Sequence, residues 1–182
     1  MLYLTFDDGP ANSTREVLAK LAAFNAKATF FVIGSQALEY PDTIAEITSA
    51  GHGLGNHTWN HKDLTVLATD DVASQLTRTA EVANTGACMR PPYGAIDAKS
   101  GAVSEQLNLQ PIMWTAQAYD WKSTATPAQI ARDLKAQTAP GSVLLLHDGG
   151  GQRTATLQAL DELLPYWAQQ GYELRAIEAC VA

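Results

Sequence analysis

The chain opens Met1-Leu2-Tyr3-Leu4-Thr5-Phe6-Asp7-Asp8-Gly9-Pro10, an apolar run that stops on two adjacent carboxylates. Residues 2–5 read as a strand, but Asp is a poor strand residue and neighbouring acids repel. Asp-Gly-Pro is good turn chemistry, and a turn is the ordinary reading of such a stretch. A parallel α/β sheet offers another, because ligands gather where its strands end and the chain turns toward a helix. The choice rests on whether the rest of the chain is of that kind, and whether its other strand ends also carry reactive side chains.

Working outward, apolar runs recur at 28–33, 53–56, 87–90, 111–115, 143–147 and 172–177, with helical patterns between them. Asn12, Ser13 and Thr14 are cap candidates for a first helix with Val17, Leu18, Leu21 and Phe24 on one face. Pro41 suits the first turn of a second, which carries Ile44 and Ile47 and stops at Gly51. Thr69 can cap a third bearing Val72, Leu76 and Val82, and a fourth spans 99–107 across Gly101. Thr126-Pro127 opens a fifth with Ile130 and Leu134 inward. Thr154 opens the last, running through Leu157, Leu160, Leu164 and Trp167 to Gly171. Seven strand candidates alternating with six helices predict an α/β protein with a parallel sheet, either a barrel or an open doubly wound sheet.

With 182 residues and no linker, repeat or low-complexity segment, a single domain over 1–182 is expected, large enough to bury most of its unfolded surface. A formal net charge of −7 without a basic cluster argues against nucleic acid or an anionic membrane as partner. No apolar stretch approaches the length needed for membrane insertion, and Met1 leads into the first strand without the regions of a signal peptide. Cys88 and Cys180 are too few for a disulfide framework; free thiols are expected, with one bridge the alternative.

Reactive residues do recur at the expected strand ends. Asp7 and Asp8 follow the first run, His57 and His61 the third, Arg90 to Gly94 the fourth, Asp120 and Trp121 the fifth, and His147-Asp148 the sixth. Three of the four histidines therefore lie on one rim, while His52, in Ala-Gly-His-Gly, reads as a turn or surface residue. His57 and His61 are four apart, which on a helical turn would set both imidazoles on one face. With one carboxylate they make the three-ligand set of a catalytic zinc site that keeps a position open. Successive side chains leave an extended backbone on opposite sides, so one Asp can hold the ion while the other faces its water as general base. Arg90 can orient that base, or be no more than a surface ion pair. Pro91-Pro92 stiffens a turn that could aim the Tyr93 N–H at a developing oxyanion, and His147 suits a general acid, or alternatively a strand cap. Of Trp59, Tyr93, Trp114 and Trp121, the aromatic faces of Tyr93 and Trp121 are expected near substrate.

These residues resemble the polysaccharide deacetylases of carbohydrate esterase family 4, the NodB-homology domain. The resemblance spans the chain in five ordered motifs: Thr5 to Pro10, His57 to His61, Arg90 to Gly94, Asp120-Trp121, and Leu144 to Asp148. It implies a distorted (β/α) barrel of about seven strands. It also implies Asp7 as base, Asp8, His57 and His61 as ligands of one divalent metal (zinc, with cobalt or nickel possible), and Arg90 as the holder of Asp7. Tyr93 would contribute the oxyanion site, His147 the acid with Asp120 beside it, and Pro92, Tyr93, Trp121 and Leu145 the substrate pocket, Leu145 receiving the acetyl methyl. The family's fourth motif usually carries Asp where this chain has Gln117, so Asp120 or Asp148 is expected to take over in part, or His147 to titrate lower than in its relatives.

The implied activity is metal-dependent removal of acetyl groups from a polysaccharide. The first expectation is N-deacetylation of N-acetylglucosamine glycans such as chitin, chitooligosaccharide or peptidoglycan. O-deacetylation of acetylxylan and a non-catalytic carbohydrate-binding module are the alternatives. A monomer that is secreted or held at the cell surface is expected from the substrate class.

Overall fold

The structure, a computed structural model, describes residues 1–181. Seven strands, β1 (Tyr3–Asp7), β2 (Ala28–Val32), β3 (Gly53–Asn56), β4 (Cys88–Met89), β5 (Gln110–Pro111), β6 (Ala116–Gln117) and β7 (Val143–His147), form one parallel sheet. Their spatial order is β5-β4-β3-β2-β1-β7-β6, and the sheet curls into a half-barrel, the expected architecture. Helices α1 (Asn12–Ala23), α2 (Gly34–Glu39), α3 (Pro41–Ser49), α4 (Thr69–Ala83), α5 (Ala98–Gln106), α6 (Pro127–Gln137) and α7 (Thr154–Gln169) cover it.

The central strands are buried on both faces, as a parallel sheet between helices and barrel interior requires. All of β2 and Leu4 to Asp7 of β1 are buried, with Leu4, Phe6 and Phe30 joined in the core by Leu21, Leu146, Leu160 and Trp167. Register then decides function: Asp7 pairs with Phe31 on one side and His147 on the other, and Val32 pairs with Asn56. The C-terminal ends of β7, β1, β2 and β3 are therefore level, and the chain leaves each of them at the same rim.

The strand count matches expectation, but the membership differs. The run at 111–115 is not a strand beyond Pro111: Gln110–Pro111 at its start pairs with β4, Ala116–Gln117 just after it pairs with β7 at the opposite edge, and the residues between cross the gap in the half-barrel. Pro111 lacks an N–H and sits on the outermost strand, where none is needed. The run at 172–177 is reduced to a bridge between Leu2 and Leu174, because both edges of β1 are already occupied. Helix α2 follows β2 so closely, and at six residues is so short, that it carries no periodic signal.

Two further expectations are corrected. Cys88 and Cys180 are bridged, with Cα atoms 5.2 Å apart across 92 residues of sequence. The C-terminal segment returns under β2 and β3, where the Ile177 N–H donates to Thr29 Oγ1 at 2.9 Å, and this brings Cys180 to β4. His52 is buried rather than exposed: its Nδ1 accepts the Ala28 N–H at 3.1 Å and its ring meets Phe30 edge to face.

Candidate active site

Asp7 ends β1, is 3% exposed, and receives the Arg90 Nη1 at 2.8 Å on Oδ1. The next residue leaves extended geometry, since Asp8 has φ +74°. That left-handed step, uncommon outside glycine, turns the second carboxylate toward the same cavity instead of the opposite face of the sheet. Gly149 and Gly150 make room for it: a Cβ on Gly149 would lie 2.1 Å from the Asp8 carbonyl oxygen, and one on Gly150 2.6 Å from Asp8 Oδ2.

His57 and His61 are not on a helix. Segment 57–61 is an irregular loop with Thr58 at φ +67° and His61 at φ +60°, tied by Thr58 N–H to Asn56 Oδ1 and His61 N–H to Thr58 Oγ1. Four-residue spacing thus converges the rings through a tight loop, their centroids 4.9 Å apart. Nε2 of His57 and His61 lie 3.4 and 3.2 Å from Asp8 Oδ1, and the three ligand atoms fall within 4.8 Å of one another. Nδ1 of His57 donates to the Arg90 carbonyl at 2.7 Å, which leaves Nε2 as a bare lone pair unless the ring is protonated. Asp8 Oδ1 is buried and accepts no hydrogen bond. A neutral ring would aim a lone pair at this carboxylate oxygen, a repulsion that a proton or a shared cation relieves, and the second imidazole nitrogen converging on the same oxygen fits the cation. Burial opposes a proton on His57, yet the Asp7 and Asp8 carboxylates more than offset it and raise its pKa. Burial likewise opposes ionisation of Asp8, but the histidines around it hold its pKa down at about 2.

Arg90 is fully buried, which excludes the surface ion pair. Its Nη1 bridges Thr5 Oγ1 and Asp7, its Nε donates to the Ile112 carbonyl at 2.9 Å, and its guanidinium lies over Phe31. Tyr93 has φ +61° and is 71% exposed, its ring meeting that of His61 and its N–H finding no protein acceptor among the described residues. Across the cavity His147 Nδ1 lies 2.7 Å from Asp120 Oδ1, leaving Nε2 for the pocket. Asp120 Oδ2 accepts from the His147 N–H and Thr156 Oγ1 at 2.9 and 2.8 Å. Burial lowers the His147 pKa, but Asp120 and the two more distant aspartates raise it above its ordinary value.

Asp7, Asp8, His57, His61, Tyr93, Trp121, Leu145 and His147 line one pocket of about 500 Å³, together with Pro91, Trp114, Gln117 and Arg153. A wider cleft of about 660 Å³ opens at the other end of the strands and holds none of these groups. Pro92 is buried behind the wall that Pro91 forms, and Asp120 reaches the pocket only through His147. Trp59 stands apart under the Arg78 guanidinium.

Residues 1–112 match the family model described as polysaccharide deacetylase, a span that includes Asp7, Asp8, both loop histidines and Arg90. The chain belongs to the polysaccharide deacetylase family. A peptidoglycan-N-acetylglucosamine deacetylase of Bacillus cereus is 34% identical over 92% of this chain, which spans 63% of that relative's length. A chitooligosaccharide deacetylase of Rhizobium leguminosarum bv. trifolii is 32% identical over 97% of this chain and 89% of its own. Among solved structures, the Bc1960 peptidoglycan N-acetylglucosamine deacetylase in complex with 4-naphthalen-1-yl-N-oxidanyl-benzamide superposes with a TM-score of 0.93 and 31% identity, over 98% of this chain and 86% of that one.

For a deacetylase of this family the departure at position 117 is resolved by geometry. Asp120, not residue 117, contacts His147, and Asp148 turns its carboxyl away toward Thr14 Oγ1. Asp120 accordingly shifts the histidine upward from its ordinary value, against burial. Residues the sequence reading did not single out are Thr5, which anchors Arg90, Thr156, which anchors Asp120, and Arg153 on the wall; Trp114, named there as an aromatic face but not placed near substrate, lines the pocket too. Arg153 carried one visible signal, as the cation in a glycine-rich stretch directly after His147-Asp148.

Proposed function

We propose that the chain is a metal-dependent N-deacetylase of N-acetylglucosamine-containing glycans. The observation that carries this reading is the orphaned Asp8 Oδ1 between two imidazole nitrogens, with Asp7 on one side and His147 on the other. Asp8, His57 and His61 would hold a divalent cation, zinc in our reading, whose Lewis acidity would polarise the acetyl carbonyl and acidify a water. Asp7, held in place by the Arg90 guanidinium, takes the proton of the attacking water. The free Tyr93 N–H meets the oxyanion as it develops. His147, whose pKa Asp120 raises against burial, gives its proton to the departing nitrogen. That step matters more for an amine than for an alkoxide, and it favours the amide over the acetylxylan ester. Leu145 offers an apolar wall to the acetyl methyl, and exposed Trp121 and Tyr93 offer faces to sugar rings.

Export of a monomer to the cell surface or medium is part of the proposal. What supports it is the Cys88–Cys180 bridge, a bond that persists in oxidising compartments.

Acetate release from an N-acetylglucosamine oligomer and from acetylated xylan, each with and without chelator, tests the reading. Chelator-sensitive release from the oligomer is expected, with Asp7→Asn still binding zinc but losing at least about a hundredfold in turnover. Release from xylan alone would replace the amide reading with the ester, and metal binding without release from either would leave a binding module.

A further inference from the structure

The pocket holds a charged group that this chemistry does not use. Arg153 is 7% exposed, precedes α7, and donates from Nε to the Gly149 carbonyl at 2.6 Å. No carboxylate lies within 4 Å of it, and its two terminal nitrogens have no protein acceptor, among the described residues. Those nitrogens are nevertheless not sealed in, since they are absent from the buried unpaired atoms that include Arg90 Nη2, and the residue forms part of the pocket wall.

A guanidinium removed from water without a counter-charge is costly, and folds retain one where a partner arrives. Its remaining donors form the fork that matches a carboxylate with two parallel hydrogen bonds. Helix α7 starts there without a side-chain cap, so its N-terminal amides add positive potential behind the fork. A neutral acetamido sugar brings no anion to this place. A glycan with a carboxylate on the sugar next to the acetylated one does.

We propose that Arg153 is a carboxylate-recognising subsite that selects glycans bearing an acidic group beside the reacting acetamide. The proposal rests on the deacetylase reading above, and its test separates the two. The metal-loaded protein would be given an N-acetylglucosamine tetramer and a tetramer in which alternate sugars carry a 3-O-lactyl ether. Both kcat/KM for acetate release and affinity by intrinsic tryptophan fluorescence would be measured, for wild type, Arg153→Gln and Arg153→Lys.

Wild type is expected to favour the acid-bearing tetramer. Arg153→Gln is expected to lose roughly 10- to 100-fold on it, mainly through KM, and several-fold less on the neutral one. Arg153→Lys, which keeps the charge without the fork, should recover part of the preference. Equal losses on both tetramers, or no wild-type preference, overturn the proposal. Equal losses with weakened inhibition by free acetate would overturn it in favour of a site for the released product. If wild type releases no acetate from either tetramer the deacetylase reading falls, and the ratio of affinities still decides the role of Arg153. If Arg153→Gln does not fold, Arg153→Lys decides alone: a loss confined to the acid-bearing tetramer supports the subsite, and a uniform loss removes it.

Discussion

If His147 is the proposed acid, Asp120 sets how far up the pH scale it keeps the proton it would donate. Burial alone would lower the histidine's pKa, and Asp120 is the nearest group that raises it. A general acid works while protonated, so activity falls as pH rises through that pKa, and removing the carboxylate lowers it. Asp120→Asn is therefore expected to move the basic limb of the kcat/KM profile to lower pH while activity at pH 6 suffers less than at pH 8; an unmoved limb would detach Asp120 from acid catalysis. His52 gives the opposite shift and a stability effect instead. Burial, with Lys27 nearby, depresses its pKa from 6.5 to about 4. The unfolded chain then binds a proton that the folded chain refuses, so His52 contributes no penalty above pH 6.5 and an increasing one as pH falls toward 4. At about 1.36 kcal/mol per pH unit the cost reaches about 3 kcal/mol. Urea unfolding at pH 7 and pH 4 should show wild type losing more stability than His52→Asn by that order, and parallel losses would place the acid sensitivity elsewhere.

Among the elements, those long enough to repeat a period were legible and those defined by their neighbours were not. The apolar faces of α1, α3, α4 and α6 stand in the sequence as 3.6-residue spacing, and all four helices form near the expected bounds; Pro41 and Thr126 hold the expected first-turn and cap positions, whereas α1 and α4 begin one residue early, on Ala11 and Ala68, with no side-chain cap. Two-residue β5 and β6 have no period, and nothing local in Ile112 to Thr115 announces that the chain crosses from one sheet edge to the other. The same holds within the site. Residue types and strand-end placement point to Asp7, Asp8, His57, His61 and His147, whereas the left-handed step at Asp8 and the loop that replaces a helical turn at 57–61 depend on tertiary packing. The disulfide is the extreme case, since 92 residues separate its halves and only the return of the C-terminal segment under β2 unites them. Closing so long a loop constrains the unfolded chain, and its loss is expected to cost about 2–5 kcal/mol. Reductant should lower the urea midpoint of wild type and leave that of the Cys88→Ala/Cys180→Ala double variant unmoved. A wild type indifferent to reductant would mean that the buried bridge is not reduced or does not stabilise.

At the scale of the whole molecule, the ligands come from the ends of two strands, β1 and β3, which are separated in the sheet only by β2. A cation that binds Asp8, His57 and His61 joins those ends in the folded chain and finds no such set in the unfolded one, so it must stabilise the fold. At a free concentration one hundred times Kd the gain is about 2.7 kcal/mol, and for a chain of this size each kcal/mol raises the midpoint by roughly 2–4 °C. Zinc should therefore raise Tm by roughly 5–11 °C, and Asp8→Asn should remove most of that rise. The effect should also depend on pH with a definite sign. The neighbouring carboxylates raise the pKa of His57 in the metal-free protein, so as pH falls a proton competes with the cation for its Nε2. The rise in Tm should accordingly shrink as pH falls from 8 to 6, beginning above the ordinary histidine value, and shrink less for Asp7→Asn, in which part of the field that holds the proton is gone. Differential scanning calorimetry with and without zinc at both pH values measures all three. A rise that ignores Asp8→Asn would place the metal somewhere other than this rim, and one that grows as pH falls would mean that the histidines do not bind it as free bases.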